Sequence, residues 1–287
     1  MERLLIVGCG DIARRALPQL LTRYAIRALV RSAADASALR DCGVEPVIAD
    51  LDCPDSLKAL SEGADALVHL APPGDEGSRD LRTRNLTAAL SASGMLPRRT
   101  VYISTSGVYG DCSGRRVDET RPVNPSTPRA RRRVDAEQVL TRWQPETVIL
   151  RVPGIYAADR LPLERLRRGT PVLRDEDDVY TNHIHADDLA AAVCRALEHV
   201  PAGAVYNISD DSELKMGEWF DFVADRYGLP RPPRVSRAEA SGVIPPMLLS
   251  FMNESRRLSN ARMKAELGLR LRYPTVREGV PGPSTEE

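Results

Sequence analysis

Gly8-Cys9-Gly10-Asp11-Ile12-Ala13 follows directly on a short apolar run, Leu4 to Val7, and opens a helical pattern. In that setting each small residue has a separate task. Gly8 can take a tight turn, Gly10 lets backbone approach a pyrophosphate, and Ala13 is small enough for the helix to pack close to the strand. The helix start offers unpaired N–H groups and the positive end of its dipole to phosphates. A lone GxGxxG-type match would be weak; the strand before it and the helix after it give it meaning. The turn therefore predicts a dinucleotide site built on Gly8, Cys9, Gly10, Asp11 and Ile12. The bland alternative is a tight strand–helix turn without a ligand.

The end of the second apolar run bears on which dinucleotide binds. NAD binders usually carry Asp or Glu there, about twenty residues past the glycines, for the ribose hydroxyls. Here the chain reads Leu29-Val30-Arg31-Ser32, with no carboxylate. Arg31 can pair with a 2′-phosphate and stack on adenine, and Ser32 can donate to the same phosphate. NADP(H) is the expected cofactor and NAD the alternative. Against this, an exposed arginine at a strand end is common. Arg14 can serve the phosphates or be a solvated charge.

The elements that would position these residues alternate in type. Leu4–Val7, Ile26–Val30, Val44–Ala49, Ala66–Leu70, Thr100–Ser104 and Thr147–Val152 read as strands covered on both faces, being short and almost continuously apolar. Between them lie helical stretches at 12–22, 54–62, 79–93 and 128–142, with Leu86 and Leu90 one turn apart. This βαβα order predicts an α/β fold, a Rossmann-type doubly wound parallel sheet. After about residue 153 the rhythm changes. Residues 161–168 read as a helix, and 182–185 as a link into a helix striped by Leu189, Val193 and Leu197. A strand at 205–209, a helix at 216–227, a Pro- and Arg-rich connector at 229–237, and a lid or helix at 245–257 follow. The expected division is a dinucleotide-binding domain at 1–153, a small C-terminal substrate region at 154–280 interleaved with the sheet, and a flexible tail at 281–287.

Composition narrows the partners. Of 287 residues 42% are hydrophobic and 28% charged, the profile of a globular chain with a real core. Forty basic residues balance forty acidic ones, so no global field favours nucleic acid or an acidic membrane. Five cysteines are scattered without a CxxC pair, which argues against a disulfide framework or a zinc site and for reduced thiols. No apolar run reaches spanning length. A cytoplasmic protein with a small-molecule substrate, and neither nucleic acid nor a membrane as partner, is expected.

Several further segments resemble the extended short-chain dehydrogenases/reductases, the NAD-dependent epimerase/dehydratase family. Ala49-Asp50-Leu51 resembles the adenine-side turn, and Val68-His69-Leu70-Ala71 the strand beneath the nicotinamide ribose. Tyr102 to Gly110 (YISTSGVYG) resembles the SSxxVYG segment. Leu150 to Tyr156, Ile184 to Ala190 and Tyr206 to Asp210 are similar to later family stretches. The resemblance runs from about residue 3 to 280. It implies a seven-stranded sheet, cofactor contacts from Asp50, Leu51, Leu70 and Ala71, and a substrate-oxygen contact from Thr105. Thr105 can equally satisfy the end of a buried strand, with Ser104 and Ser106 sharing either task.

One motif departs from the family. Its general acid/base is the Tyr of YxxxK, whose Lys holds the ribose. Val134-Asp135-Ala136-Glu137 sets the register, which puts Arg129 at the Tyr position and Arg133 at the Lys position. The two arginines share a helix face. Arg133 can still bond ribose hydroxyls. Arg129 cannot shuttle protons near neutral pH, but a fixed cation can stabilise an oxyanion or clamp a carboxylate or phosphate. A solvated charge run covering 129–133 is the bland alternative. Tyr109, Tyr156, Tyr180, His183 and His185 are the remaining proton-transfer candidates, with His185 more structural in character. Asp187 and Asp188 read as helix-start caps. Family members often pair through a bundle that includes the 128–142 helix; the arginines on it leave a homodimer open. Two functions compete: an atypical NADP-dependent oxidoreductase or epimerase-like enzyme acting on a small polar carbonyl or sugar-nucleotide-type compound, and a catalytically degenerate NADP(H)-binding sensor.

Overall fold

The computed structural model describes residues 1–60, 63–198 and 200–283. The end of the expected 54–62 helix and positions 284–287 of the expected tail lie outside the described residues. Seven strands form the central sheet: β1 (Glu2–Val7), β2 (Tyr24–Val30), β3 (Glu45–Ile48), β4 (Ala66–His69), β5 (Arg99–Thr105), β6 (Val148–Val152) and β7 (Val205–Asn207). Their order is β7-β6-β5-β4-β1-β2-β3, and every neighbouring pair is parallel. The order reverses between β1 and β4, which opens a crevice at the carboxyl ends of those strands.

Side chains alternate across β1 and feed two separate cores. Leu4 and Ile6 join the cluster beneath α1 (Asp11–Leu20), whereas Leu5 and Val7 join the one beneath α3 (Leu81–Ala92). A two-faced burial of this kind is why the strands read as continuous apolar runs rather than alternating ones. Between α1 and α3 come α2 (Ala33–Arg40) and a 3-10 helix, Pro54–Leu60, where an α-helix was expected.

Helix α4 (Pro128–Trp143) begins at Thr127, whose side chain accepts from the Ala130 N–H, with Pro128 at the first helical position. Its orientation is set by buried charge. Glu137 accepts from Arg151 of β6 (Nη2–Oε2 2.8 Å) and from Ser104 of β5 (2.5 Å), and the Arg151 and Glu137 side chains are each 8% exposed. On the other side Asp135 takes the Arg84 guanidinium of α3 and the Asp80 N–H. Arg132, for which a solvated run was the bland alternative, is buried and donates to the Gly77 carbonyl.

The chain beyond β6 builds a third core around Tyr156, Leu166, Trp219, Phe220 and Val223, carried largely by α6 (Met216–Arg226). Residues 183–185, expected as a link, form a short strand alongside Gly154–Tyr156. That strand leads into α5 (Ala186–Ala196). The helix-start reading of its two aspartates needs correction. His185 supplies the cap, accepting from the Asp187 N–H at 3.2 Å. Asp187 instead pairs with Arg15, and buried Asp188 holds the N–H groups of Arg272 and Tyr273. A short helix, Pro246–Phe251, occupies the expected lid segment. Among the described residues, no helix is long and apolar enough to cross a membrane.

Candidate cofactor and substrate site

The glycine turn lies at the β1–β4 crevice, and hydrogen bonding shows why it must be glycine. The Val7 carbonyl accepts from both Leu70 and Ala71 N–H (2.8 and 3.0 Å), drawing the end of β4 against the turn. Gly8 sits at φ +91°, and a Cβ there would stand 2.4 Å from the Ala71 nitrogen. At Gly10 a Cβ would meet nothing within 4 Å, so the space over the turn is open. The first N–H groups of α1 face this space without intrahelical partners.

A groove of about 380 Å³ runs from the turn, lined by Gly8, Cys9, Gly10, Arg14, Arg31, Asp50, Leu51, Leu70 and Ala71 among others. Eight of the expected cofactor residues thus share one surface. Four others do not line it. Ile12 packs into the core below. The Asp11 carboxylate is held by Arg15 (2.8 Å) and by Arg160 from the C-terminal region (2.7 Å), which leaves only its backbone for phosphate. Ser32 is committed to α2, accepting from the Asp35 N–H and donating to the Asp35 carboxylate. Arg133 points to β5, where its Nη1 donates to the Ile103 carbonyl (2.7 Å) and the Tyr102 hydroxyl (3.1 Å). The groove also includes Asp35 and Arg82, which spacing alone did not single out. Arg82 is bidentate on Asp52 and donates to the Pro72 carbonyl, closing the rim.

A second cavity, about 460 Å³, lies between the end of β5 and the C-terminal region. Thr105, Ser106 and Arg129 line it from one side. Tyr156, His183, Arg165, Trp219, Phe251 and Arg256 line it from others. Thr105 accepts from the Gly107 N–H at 3.2 Å, so the hydroxyl hydrogen remains available. Ser104 is turned away toward Glu137. Tyr109 is fully buried and bonded to Asn207 and Arg151, which makes it structural. The Tyr156 ring walls the cavity, but its hydroxyl donates to the Thr275 carbonyl and lies where a Cβ on Gly279 would collide.

The charges in this cavity are unevenly matched. Arg256 is paired with Glu254 at 2.9 Å. Arg129 makes no ion pair among the described residues; its guanidinium lies over Phe251, 4.2 Å from the ring centroid. Arg165 lies over Phe220 at 4.1 Å, donates to the Pro171 carbonyl (3.4 Å), and among the described residues has no carboxylate partner and keeps a buried Nε unbonded. Burial lowers both guanidinium pKa values, that of Arg165 to about 10, and both remain cationic at neutral pH. Of these charged residues the family register points to Arg129 alone; Arg165, Glu254 and Arg256 arrive from distant segments.

A family model described as NAD(P)H-binding matches residues 8–200, about two thirds of the chain. The chain belongs to that NAD(P)H-binding family. Within it, the chain is a member of the extended short-chain dehydrogenase/reductase, or NAD-dependent epimerase/dehydratase, group. A 4-hydroxy-2-methyl-3-oxo-4-farnesyl-3,4-dihydroquinoline-1-oxide ketoreductase from Stigmatella aurantiaca is 27% identical over 245 residues, 77% of this chain and 72% of the relative. The GDP-6-deoxy-D-mannose reductase of Pseudomonas aeruginosa is 30% identical over 207 residues, 61% and 68% of the two chains. A solved structure of a functionally unknown conserved protein from Silicibacter pomeroyi DSS is 30% identical, covers 97% and 96%, and superposes with a TM-score of 0.78. UDP-glucose 4-epimerase from Thermotoga maritima shares the fold at TM-score 0.76 with 18% identity, over 96% of both chains.

Proposed function

We propose that this NAD(P)H-binding protein is an NADP(H)-dependent oxidoreductase acting on a small polar carbonyl compound, or a sugar-nucleotide-type one, that carries an anionic group. The observation behind it is a cavity where the Thr105 hydroxyl shares walls with two arginines, Arg129 and Arg165, that have no carboxylate partner among the described residues. Guanidinium groups on aromatic faces without a carboxylate partner suit a carboxylate or phosphate. The two relatives described above carry reductase names, and two further relatives, aligned over a shorter stretch, are dTDP-D-glucose 4,6-dehydratases; the longer alignments favour reduction.

The bound cofactor supplies the hydride. Thr105 donates to the substrate oxygen and holds it at the end of β5. Arg129 stabilises negative charge as it develops or anchors the anionic substituent. Since its guanidinium keeps its proton, the proton that completes the reduction comes from water. Arg133 acts behind the site, fixing α4 against β5. On the adenosine side exposed Arg31 meets the 2′-phosphate, and Arg14 the phosphate chain.

NADPH oxidation with 4-carboxybenzaldehyde, benzaldehyde and further ketones tests the reading, alongside Arg129→Ala and Arg165→Ala. Turnover should favour the carboxylated aldehyde and fall in both variants. Tight NADPH binding with no turnover of any carbonyl would instead support a sensor, the reading that the absent tyrosine favours.

A further inference from the structure

The strand at 183–185 carries two histidines, and packing explains one of them. His185 caps α5 and lies 3.9 Å from the Tyr273 ring centroid. His183 caps nothing. Its ring sits 4.5 Å from Trp219 and 6.2 Å from Tyr156, is 4% exposed, and forms part of the cavity wall. Neither ring nitrogen has a hydrogen-bond partner among the described residues, and Nδ1 is sealed from solvent. A buried polar atom without a partner is costly, and phenylalanine would fill the same aromatic nest without that cost.

We propose that His183 contacts the substrate, its imidazole donating a hydrogen bond through Nε2 to a carbonyl or hydroxyl oxygen of the compound held in this cavity. The proposal rests on the oxidoreductase reading above. Nδ1, closed off by protein, is better left with a lone pair than with an N–H, which puts the single proton of a neutral ring on Nε2. Burial supports the neutral form, since it pushes the imidazole pKa down to about 3. A neutral imidazole in such a place polarises and orients an oxygen; it does not release a proton. Thr105 and Arg129 reach the cavity from β5 and α4, and His183 adds a donor from the strand paired with Gly154–Tyr156. Three elements would then define the substrate's orientation. A site built to bond a particular oxygen rejects compounds that lack it far more strongly than an apolar wall does.

His183→Phe and His183→Leu test this, with His183→Gln as the variant that keeps a donor. Without ligand, at least one of the two apolar variants should melt at or above the wild-type temperature, by about 2 °C, because an unpaired polar atom has been removed. NADPH affinity should be unchanged. For any carbonyl that the wild type reduces, kcat/KM should fall about 30-fold or more in the apolar variants and recover in part with His183→Gln. Melting below wild type in both apolar variants would show that the imidazole serves the fold and overturn the proposal. So would kcat/KM retained within threefold. If the wild type binds NADPH but reduces no carbonyl, the oxidoreductase reading fails by itself. Melting below wild type in both apolar variants then still overturns the role given to His183, independently of that failure.

Discussion

Gly8 and Gly10 look equivalent as letters and differ as positions. Gly8 has φ +91° and backbone 2.4 Å from where a Cβ would be, so Gly8→Ala must push β4 away from the turn. NADPH affinity should fall at least about 100-fold in a fluorescence titration, with a lowered melting temperature. Arg31 tests cofactor choice. It is exposed at the end of β2, so Arg31→Ala should leave stability intact and erase a preference for NADPH over NADH of about ten- to hundredfold. Equal affinities for the two cofactors in the wild type would remove the argument for NADP. That Gly8, Gly10 and Arg31 line one groove was readable because it follows from the backbone of the turn and the end of the neighbouring strand. Ser32 is engaged with Asp35, a helix-capping contact three residues on that the strand-end pattern does not show.

Helix α4 shows how an element is held. Its sequence looks like a basic surface run, yet Arg132 is buried, Arg133 is bonded to β5, and Glu137 forms a buried pair with Arg151. Removing one partner of such a pair strands the other charge. Glu137→Ala should therefore cost about 3–5 kcal/mol in chemical denaturation. Replacing an exposed pair such as Arg168–Glu164 should change stability by less than about 1 kcal/mol. The family register placed Arg129 and Arg133 one turn apart, and they do share a face. Their divergence, one into the cavity and one onto Ile103, depends on how α4 crosses β5, which no local pattern encodes.

At the scale of the whole molecule, the interface between the sheet and the third core buries a carboxyl group. Asp210 is 4% exposed, and burial raises its pKa to about 7 despite the Ser212 N–H that it accepts. In the unfolded chain it titrates near 4. Between those values the folded state holds the proton more tightly, so its contribution to stability is intact below about pH 4 and is lost as pH rises to about 7. Asp210→Asn keeps the acceptor and removes the titration. Relative to wild type the variant should gain about 2–4 kcal/mol between pH 4 and pH 8, read as the difference of two melting curves over pH. An equal pH dependence in both proteins would show that the carboxyl is not titrating there.

By itself the sequence determined the doubly wound sheet, the crevice at the first strand–helix turn and most of the groove beside it. Those features follow from apolar periodicity and from backbone conformations that only small residues allow, both local in the chain. Tertiary structure decided the substrate cavity, because its walls come from the ends of β5 and α4, the strand at 183–185 and the helices beyond residue 160. It also decided which arginines stay unpaired. A guanidinium's role depends on the nearest carboxylate in space, and Arg160 reaching Asp11 across 149 positions has no counterpart in spacing.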